Sequence, residues 1–254
     1  MNGRQTVRAA LITGAGRRIG AAIARALSGA GYAVVLHANR SRNEAEKLAG
    51  EIAAAGGRAS VVLADLADGN ALRGLIPAAA AFAPLTLLVN NASLFDEDAI
   101  ATLERARFER TLAVNLTAPL LLAQAFAAQA PEGADASIVN IVDQRVLRPT
   151  PLFFSYTLSK SALASATATL AQALAPKLRV NAVAPGPTLP SPRQSAEQFA
   201  RQAAAVPLQR GPSPEDIAAA VVYLAGARSV TGTVIAVDGG QHLSWRTPDS
   251  DGAE

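Results

Sequence analysis

The sequence predicts an α/β protein, a single doubly wound domain over residues 1–254 with a parallel sheet of about seven strands and helices on both faces. Short apolar runs alternate with helical patterns along the chain, which is typical of strand-helix-strand units. A glycine-rich turn joins the first apolar run to the first helical pattern. The length of 254 residues suits one large domain, and no repeat, linker or low-complexity stretch interrupts the alternation.

Each predicted strand is a short apolar run with little polar alternation, which is the pattern of a strand buried on both faces. Each predicted helix is longer and repeats its apolar residues at helical spacing. The predicted strands are 8–13, 32–37, 59–64, 85–90, 138–142, 178–183 and 233–237. The predicted helices are 19–28, 41–55, 71–81, 103–114, 119–130, a segment through Tyr156 and Lys160 to Leu174, 195–205 and 214–225. The polar end of the chain, 246–254, is expected to be flexible.

Composition narrows the classes of function. With no cysteine, the chain has no disulfide, thiolate metal site or cysteine nucleophile. The two histidines, His37 and His242, are far apart in sequence, which argues against a histidine metal site. A net charge of +3, scattered basic residues and 4% aromatic residues argue against nucleic-acid binding. The polar start of the chain and the lack of an uncharged apolar run of 18 residues predict a cytoplasmic protein that does not enter a membrane.

The apolar run 138–142 leads into the most informative part of the chain. A strand there would end beside Asp143, at the carboxyl edge of the sheet where crevices open. Tyr156 and Lys160 lie four residues apart in a helical pattern, so they project from one face. We expect the ammonium to draw the tyrosine pKa of about 10 toward neutrality, which would make the phenol a general acid. The alternative is a surface helix that carries both residues without any chemistry.

The turn from Thr13 to Gly20 predicts a phosphate-binding site. Glycines let the backbone approach a pyrophosphate, and the helix N-terminus offers N–H groups that have no helical partner. The spacing places Arg18 where the usual motif has a glycine. The alternative is a tight connection without a ligand. The residues predicted to face a cofactor here are Gly14, Arg17, Arg18, Ile19 and Gly20.

The end of the second strand predicts which dinucleotide binds. A carboxylate there would accept a hydrogen bond from the ribose 2′-hydroxyl of NAD, whereas basic residues bind the 2′-phosphate of NADP. The chain has no carboxylate here until Glu44. Arg40 and Ser41, helped by Arg17, are predicted to hold the phosphate, so we expect NADPH. Alternatively, Arg40 is a solvated loop cation and Ser41 only caps the next helix. Two neighbours are also predicted to line the cofactor, His37 and Asn39.

These features resemble the short-chain dehydrogenases/reductases over about residues 9–243. The resemblance rests on the glycine turn and on motifs that follow the later strands. They are Asp65-Leu66, Asn90-Asn91-Ala92-Ser93, Asn115, Tyr156-x-x-x-Lys160, Pro185-Gly186 and Asp238-Gly239-Gly240. The resemblance implies a Rossmann fold, oxidoreductase activity with hydride supplied by the cofactor, and a homotetramer.

The resemblance also implies roles for individual residues. Asp65 and Leu66, after the third strand, would hold the adenine. Asn91 and Ala92, after the fourth strand, would line the cofactor. Pro185, Gly186 and Thr188, after the sixth strand, would surround the nicotinamide. Tyr156 would be the proton donor, and Lys160 would bind the nicotinamide ribose. Asn115 would kink its helix and organise a water-linked proton path with Lys160.

Three departures from the general family pattern resemble its pteridine reductase branch. Asp143 stands thirteen residues before the tyrosine, where the family usually has a serine, and an ionised carboxylate only accepts hydrogen bonds. Arg18 stands in the glycine turn, and Ser93-Leu94-Phe95 stands where glycine is common. By this resemblance Phe95 would stack a pterin against the nicotinamide, while Ser93 and Arg18 would contact the pterin and the cofactor phosphates. Asp143 with Tyr156 and Lys160 would relay a proton to a ring nitrogen while NADPH delivers hydride to the adjacent carbon.

Alternatives stay open at both substrate positions. Phe95 is also consistent with an ordinary core or loop aromatic, and Asp143 with altered or lost activity. The proline-rich segment 188–210 is predicted to form a lid over the substrate. Three functions fit the sequence: an NADPH-dependent reductase of a pterin-type substrate (a dihydropterin, dihydromonapterin or dihydrofolate), a carbonyl or hydroxyl oxidoreductase, and a non-catalytic NADP-binding sensor or scaffold. The first is the favoured prediction.

Overall fold

Parallel strands form the centre of the computed structural model, which describes residues 8–244. They are β1 (Ala9–Ile12), β2 (Ala33–Ala38), β3 (Ala59–Leu63), β4 (Leu85–Asn90), β5 (Ala136–Ile141), β6 (Leu178–Pro185) and β7 (Val234–Val237). Over the described range they make one parallel sheet of seven strands in the order β3-β2-β1-β4-β5-β6-β7. The predicted doubly wound α/β fold is therefore confirmed.

Helices cover both faces of the sheet. They are α1 (Arg18–Gly29), α2 (Arg42–Ala54), α3 (Gly69–Ala80), α4 (Arg105–Leu112), α5 (Ala118–Gln129), α6 (Phe154–Leu174), α7 (Ala196–Ala204) and α8 (Pro214–Gly226). On one face, α3 and α5 bury Leu75 and Phe126 in the core. On the other face, α1 and α8 bury Ile23 and Val221. Removal of these side chains from water is the main force that holds the layers together.

The strand order changes direction at β1, and this change creates a crevice. β1 pairs with β2 on one side and with β4 on the other. The chain leaves the carboxyl end of β1 for α1 on one face of the sheet and the carboxyl end of β4 for helices that include α5 on the other face, so a gap opens between these two adjacent strands. The residues that the sequence predicts for a site follow the strand ends around this gap.

The structure corrects several predicted boundaries. The helix predicted over 103–114 begins at Arg105, and its end continues through a π-helical turn, Ala113–Thr117, into α5. The strand predicted to reach Val142 ends at Ile141. The helix that carries Tyr156 is continuous for 21 residues and begins at Phe154. The predicted flexible end, 246–254, lies outside the described residues.

One helical stretch of residues 8–244, Arg105–Gln129, is long and apolar enough to cross a membrane by length and composition alone. The apolar residues have a local explanation, because Ala118, Leu122 and Phe126 are buried in the core of this protein. Packing against the sheet therefore accounts for the composition of this stretch.

Candidate active site

The loops at the carboxyl edge of the sheet enclose a cleft of about 980 Å³. Most of the predicted site residues line it. They are Gly14, Arg17, Arg18, Ile19, His37, Asn39, Arg40, Ser41, Asp65, Leu66, Asn91, Ala92, Ser93, Phe95, Asp143, Tyr156, Lys160, Pro185, Gly186 and Thr188. Gly20 and Asn115 are buried behind the cleft wall. A cleft of this size suits a dinucleotide with a small substrate.

The glycine turn is tightly packed against neighbouring backbone. Gly14 has a φ of +65°, and a Cβ there would lie 2.9 Å from the Cα of Ala92. A Cβ on Gly20 would lie 2.2 Å from the carbonyl oxygen of Gly14. Both glycines are therefore required for the turn to approach the next loop and the start of α1.

His37 fixes this turn with both ring nitrogens. Its Nδ1 accepts a hydrogen bond from the backbone N–H of Gly14 at 3.2 Å, and its Nε2 lies 3.1 Å from the carbonyl oxygen of Ala64. These partners define a neutral ring with the proton on Nε2. Burial lowers the pKa of His37, which favours the same neutral form.

Arg18 is held by the loop that follows β6. Its guanidinium donates to the carbonyl oxygens of Pro190 at 3.0 Å and Leu189 at 3.4 Å. Its backbone has a φ of 56°, which is uncommon for a residue with a side chain. The guanidinium predicted to contact the pyrophosphate thus binds the predicted lid in this structure.

The predicted 2′-phosphate position combines two arginines with a serine hydroxyl. Arg17, Arg40 and Ser41 line the same cleft. Ser41 precedes α2 but makes no capping hydrogen bond with its side chain among the described residues. The alternative that Ser41 serves only as a cap is therefore not supported. By contrast, Arg42 points to Glu46 in an ion pair of 3.1 Å.

Asp65 is positioned by a turn and by an arginine that the sequence did not indicate. It accepts hydrogen bonds from the backbone N–H of Ala67 at 2.9 Å and from Arg110 at 3.0 Å. The hydrogen bond from Ala67 is the largest cause that lowers the pKa of Asp65, so the carboxylate form is favoured. Arg110 comes from α4, and no spacing pattern links it to Asp65.

Asn91 ties β1 to β4 behind the predicted cofactor position. Its side chain donates to the carbonyl oxygens of Thr13 at 2.8 Å and Gly14 at 3.1 Å. The hydroxyl of Thr13 accepts from the backbone N–H groups of Asn91 and Ala92. The amide of Asn91 therefore holds the glycine turn in place.

Asn115 lies in the π-helical turn and is fully buried. Its amide exchanges hydrogen bonds with both the N–H and the C=O of Leu94, at 2.8 and 2.9 Å, and donates to the hydroxyl of Ser159 at 3.0 Å. The irregular turn agrees with the expected kink. The proton path with Lys160 remains a prediction.

Gly186 and Thr188 line the wall after β6. A Cβ on Gly186 would lie 2.6 Å from the Cα of Asp238, so the loop can only approach this turn with a glycine. The hydroxyl of Thr188 donates to the carbonyl oxygen of Gly186 at 3.0 Å. Asp238 in turn binds the backbone and ring of His242 at 2.8 Å each.

The phenol of Tyr156 donates a hydrogen bond to the carboxylate of Asp143 at 2.8 Å. Asp143 and Tyr156 are thus paired as the resemblance implies, although they are 13 residues apart in the sequence. Burial and then Asp143 raise the pKa of Tyr156 well above its ordinary value of 10.0. The expectation that Lys160 draws this pKa toward neutrality is therefore wrong for the protein alone.

Lys160 has a different partner. Its ammonium donates to the carbonyl oxygen of Ile141 at 2.7 Å and lies 5.8 Å from the centre of the Tyr156 ring. Burial lowers the pKa of Lys160 to about 8, against the opposing effect of Asp143. The ammonium is thus fixed in the cleft wall, and it loses its charge as the pH rises through about 8.

Phe95 lies in a cluster that the sequence did not reveal. Its ring stacks on Phe153, with centres 4.3 Å apart and planes 7° apart, and meets Tyr156 edge-on at 4.6 Å. One face of the ring predicted to stack a substrate is therefore covered by Phe153. Phe153 also has a φ of 54°, at the start of α6, which is a strained conformation for an aromatic residue.

Two arginines flank these rings, Arg145 and Arg193. The guanidinium carbon of Arg145 lies 5.3 Å from the centre of Phe95 and 5.4 Å from that of Phe153. Arg193, from the segment 188–210, lies 5.6 Å from both and donates to the carbonyl oxygen of Phe95 at 2.7 Å. Neither arginine belongs to a motif, so only the fold identifies them.

No group of three or more His, Asp or Glu side chains within residues 8–244 is arranged to hold a metal ion.

Comparison with known proteins identifies the family. A family model described as Enoyl-(Acyl carrier protein) reductase matches residues 14–242. The chain belongs to the short-chain dehydrogenase/reductase family. Members of this family are oxidoreductases, and so is this chain.

Several members of the short-chain dehydrogenase/reductase family resemble the chain over nearly all of its length. The crystal structure of FolM Alternative dihydrofolate reductase 1 from Brucella canis, complexed with NADP, is 52% identical, covers 96% of both chains and has a TM-score of 0.92. Pteridine reductase 1 of Leishmania tarentolae is 33% identical and covers 94% of this chain and 98% of its own. L-rhamnose 1-dehydrogenase (NAD(P)(+)) of Azotobacter vinelandii is 35% identical and covers 91% and 94%.

Proposed function

We propose that the protein is an NADPH-dependent reductase of a pterin-type substrate, such as a dihydropterin, dihydromonapterin or dihydrofolate. The observation that carries this proposal is the hydrogen bond of 2.8 Å between Tyr156 and Asp143 in the cleft wall. It places a proton donor beside a group that only accepts hydrogen bonds, where most of the family would have a serine hydroxyl that can also donate.

The residues of the cleft fit NADP(H). The glycine turn and the start of α1 line the cleft through Gly14, Arg17, Arg18 and Ile19, where the helix N-terminus can receive a phosphate group. Arg17, Arg40 and Ser41 offer two guanidinium groups and a hydroxyl to the 2′-phosphate. When bound, the cofactor supplies the hydride.

The reacting groups favour a heterocycle with N–H donors over a simple ketone. Asp143 accepts hydrogen bonds, so it can receive an N–H of a pterin ring, whereas a ketone has no N–H or O–H to donate and its oxygen would be repelled by the carboxylate. Tyr156 is the proton donor to the ring nitrogen. Lys160 is the group that we assign to the nicotinamide ribose, and its hydrogen bond to Ile141 supports this role by holding the ammonium in one position.

The comparisons support this choice within the family. The relative from Brucella canis is described as an alternative dihydrofolate reductase in complex with NADP, and that from Leishmania tarentolae as a pteridine reductase. A sugar dehydrogenase is found at a similar identity, so ketones belong in any test of the substrate.

An assay of NADPH oxidation tests the proposal. We expect turnover of dihydropterins, dihydrofolate or quinonoid pterin that exceeds turnover of a panel of ketones. Tyr156→Phe removes the acid and should lower the rate on the order of a hundredfold, whereas Tyr223→Phe, at an exposed tyrosine of α8, is the matched control. A Tyr156→Phe rate near that of the wild type would contradict the role of the phenol.

Asp143→Ser separates the two reductase functions. This change should lower pterin reduction and increase the reduction of simple carbonyls, because serine donates a hydrogen bond to a carbonyl oxygen. An unchanged pterin rate would show that Asp143 has no part in the reaction.

We also propose a single domain in which the segment 188–210 acts as the substrate lid. Arg18 binds this segment through Leu189 and Pro190, and Arg193 reaches from it to Phe95. Both contacts close the segment over the cleft. Arg18→Met removes the guanidinium and should increase proteolytic cleavage within 188–210. Added NADPH should protect this segment less in Arg18→Met than in the wild type.

We further propose a homotetramer. Leu121 on α5 and Leu158 on α6 are exposed by 45% and 43%, and both helices carry many small residues. Exposed apolar side chains mark surfaces that bind other proteins, and the small residues around these two leucines would allow helices of two copies to approach closely. Sedimentation of the purified protein should give four times the chain mass, and a monomer would contradict this assembly.

A further inference from the structure

Arg145 lies among the proposed reacting groups, two residues after Asp143. A short helical turn, Gln144–Val146, begins with Asp143 as its cap. The backbone N–H of Arg145 donates to Oδ1 of Asp143 at 2.9 Å, and its guanidinium lies 3.4 and 3.3 Å from the two carboxylate oxygens. Both side chains are mostly buried, with exposed fractions of 18% and 16%. Asp143 is thus held twice by one residue.

Aromatic rings fix the guanidinium in this position. Its central carbon lies within 6 Å of three ring centres, those of Phe95, Phe153 and Tyr156, at 5.3, 5.4 and 5.9 Å. The Nε atom of Arg145 is buried and has no hydrogen-bond partner among the described residues. Because a buried donor without a partner is costly, the ion pair and the rings must outweigh that cost.

We propose that Arg145 is a positioning residue of the reductase site, which orients Asp143 toward Tyr156 and neutralises its charge. This inference rests on the proposed reductase function. Without the guanidinium, the mostly buried carboxylate of Asp143 keeps only the backbone N–H of residue 145 and the hydroxyl of Tyr156, so its charge has no cation to balance it and we expect it to turn toward solvent. This change removes the acceptor that faces the phenol.

The charges around the phenol explain why Arg145 has this role. Asp143 and Arg145 face it from the end of β5, and Lys160 faces its ring from within α6. Arg193 lies beyond Phe95, and Asp98 binds the neighbouring Ser155. Arg145 is the group that lowers the pKa of Tyr156, against burial and Asp143, which raise it. The sequence assigned this electrostatic effect to Lys160; the two cations lie at similar distances from the ring, 5.8 Å for Lys160 and 5.9 Å for Arg145.

Three variants test the inference in the full-length protein. Arg145→Met removes the charge, Arg145→Lys keeps it without the planar fork, and Arg148→Met is the control at an exposed arginine of the same loop. We expect Arg145→Met to lower kcat at least tenfold with an NADPH dissociation constant within about twofold of the wild type, because the loss lies in the chemical step. Arg145→Lys should recover part of kcat. An Arg145→Met protein with the kcat of Arg148→Met would overturn the inference.

A titration of tyrosine absorbance gives a second readout that needs no substrate. Asp143→Asn removes the negative charge, which brings ionisation of Tyr156 to lower pH, and subtraction of the Tyr156→Phe signal isolates this residue. Arg145→Met in the Asp143→Asn background should then raise the pKa of Tyr156 by about one unit or more. An unmoved titration would refute the electrostatic role.

The two proposals fail in different ways. If the wild-type protein reduces no pterin-type substrate, the reductase function is wrong, while the titration still decides the role of Arg145. If pterin reduction is present and Arg145→Met leaves both kcat and the titration unchanged, only the inference about Arg145 is wrong. Thermal unfolding of each variant shows that a loss of activity does not come from a loss of fold.

Discussion

Arg40→Met tests which dinucleotide the cleft selects. Arg40 lies beside Ser41 and Arg17 at the end of β2, and it would donate charge-assisted hydrogen bonds to a 2′-phosphate. A hydrogen bond to a charged group contributes about 1.5–3 kcal/mol, and each 1.4 kcal/mol changes a dissociation constant about tenfold. We expect Arg40→Met to weaken NADPH binding on the order of ten- to a hundredfold and to leave NADH binding within about twofold.

The control is the adjacent helix residue Arg42, which pairs with Glu46 at 3.1 Å and does not line the cleft. Arg42→Met should leave both dissociation constants near those of the wild type. Fluorescence titration of NADPH and NADH against the three proteins provides the measurement. Equal losses for NADPH and NADH in Arg40→Met, or wild-type NADH affinity as high as that for NADPH, would refute the assignment of the 2′-phosphate position.

Three further predictions concern the inner wall of the cleft. Since burial lowers the pKa of Lys160 from 10.5 to about 8, kcat/KM for NADPH should fall as the pH rises through about 8, and Lys160→Met should lack this dependence. In the unfolded chain the Lys160 ammonium keeps its proton up to a pH of about 10.5. The free energy of unfolding, measured by chemical denaturation, should therefore rise as the pH increases from about 8 to about 10.5. Asn115→Leu leaves the backbone N–H and C=O of Leu94 without their partner, which costs about 1–3 kcal/mol per buried group. This change should lower Tm by several degrees in calorimetry, and an unchanged Tm would contradict the structural role of Asn115. Phe95→Leu should raise KM for a planar substrate roughly two- to tenfold in steady-state assays, because stacked aromatic pairs contribute about 0.5–1.5 kcal/mol; the same KM would show that no substrate stacks there.

The order of elements and most of the cleft followed from local patterns. Apolar runs and helical spacing predicted all seven strands found in residues 8–244 to within a few residues, because buried strands and amphipathic helices differ in periodicity. The glycine turn and the pair Tyr156 and Lys160 were also visible, since each depends on spacing within a single turn of chain.

The remaining parts depend on contacts between distant segments. The stack of Phe95 on Phe153 joins two loops, and the bond from Lys160 to Ile141 spans 19 residues. Neither leaves a pattern in the sequence. Arg145 is only two residues from Asp143, but its importance comes from the short helical turn that aims its guanidinium back at the carboxylate. Side-chain direction of this kind follows from backbone geometry that spacing does not specify.

The neutral ring of His37 sets an acid limit on dinucleotide binding. Uptake of a proton would give Nδ1 a hydrogen that faces the N–H of Gly14, so an attraction at 3.2 Å would become a repulsion between two donors. Because burial keeps the pKa of His37 below 6.5, the unfolded chain takes up the proton first, and stability falls as the solution is acidified below that value. Acidification is thus expected to remove support from the glycine turn, which we propose receives the pyrophosphate, and so to weaken dinucleotide binding.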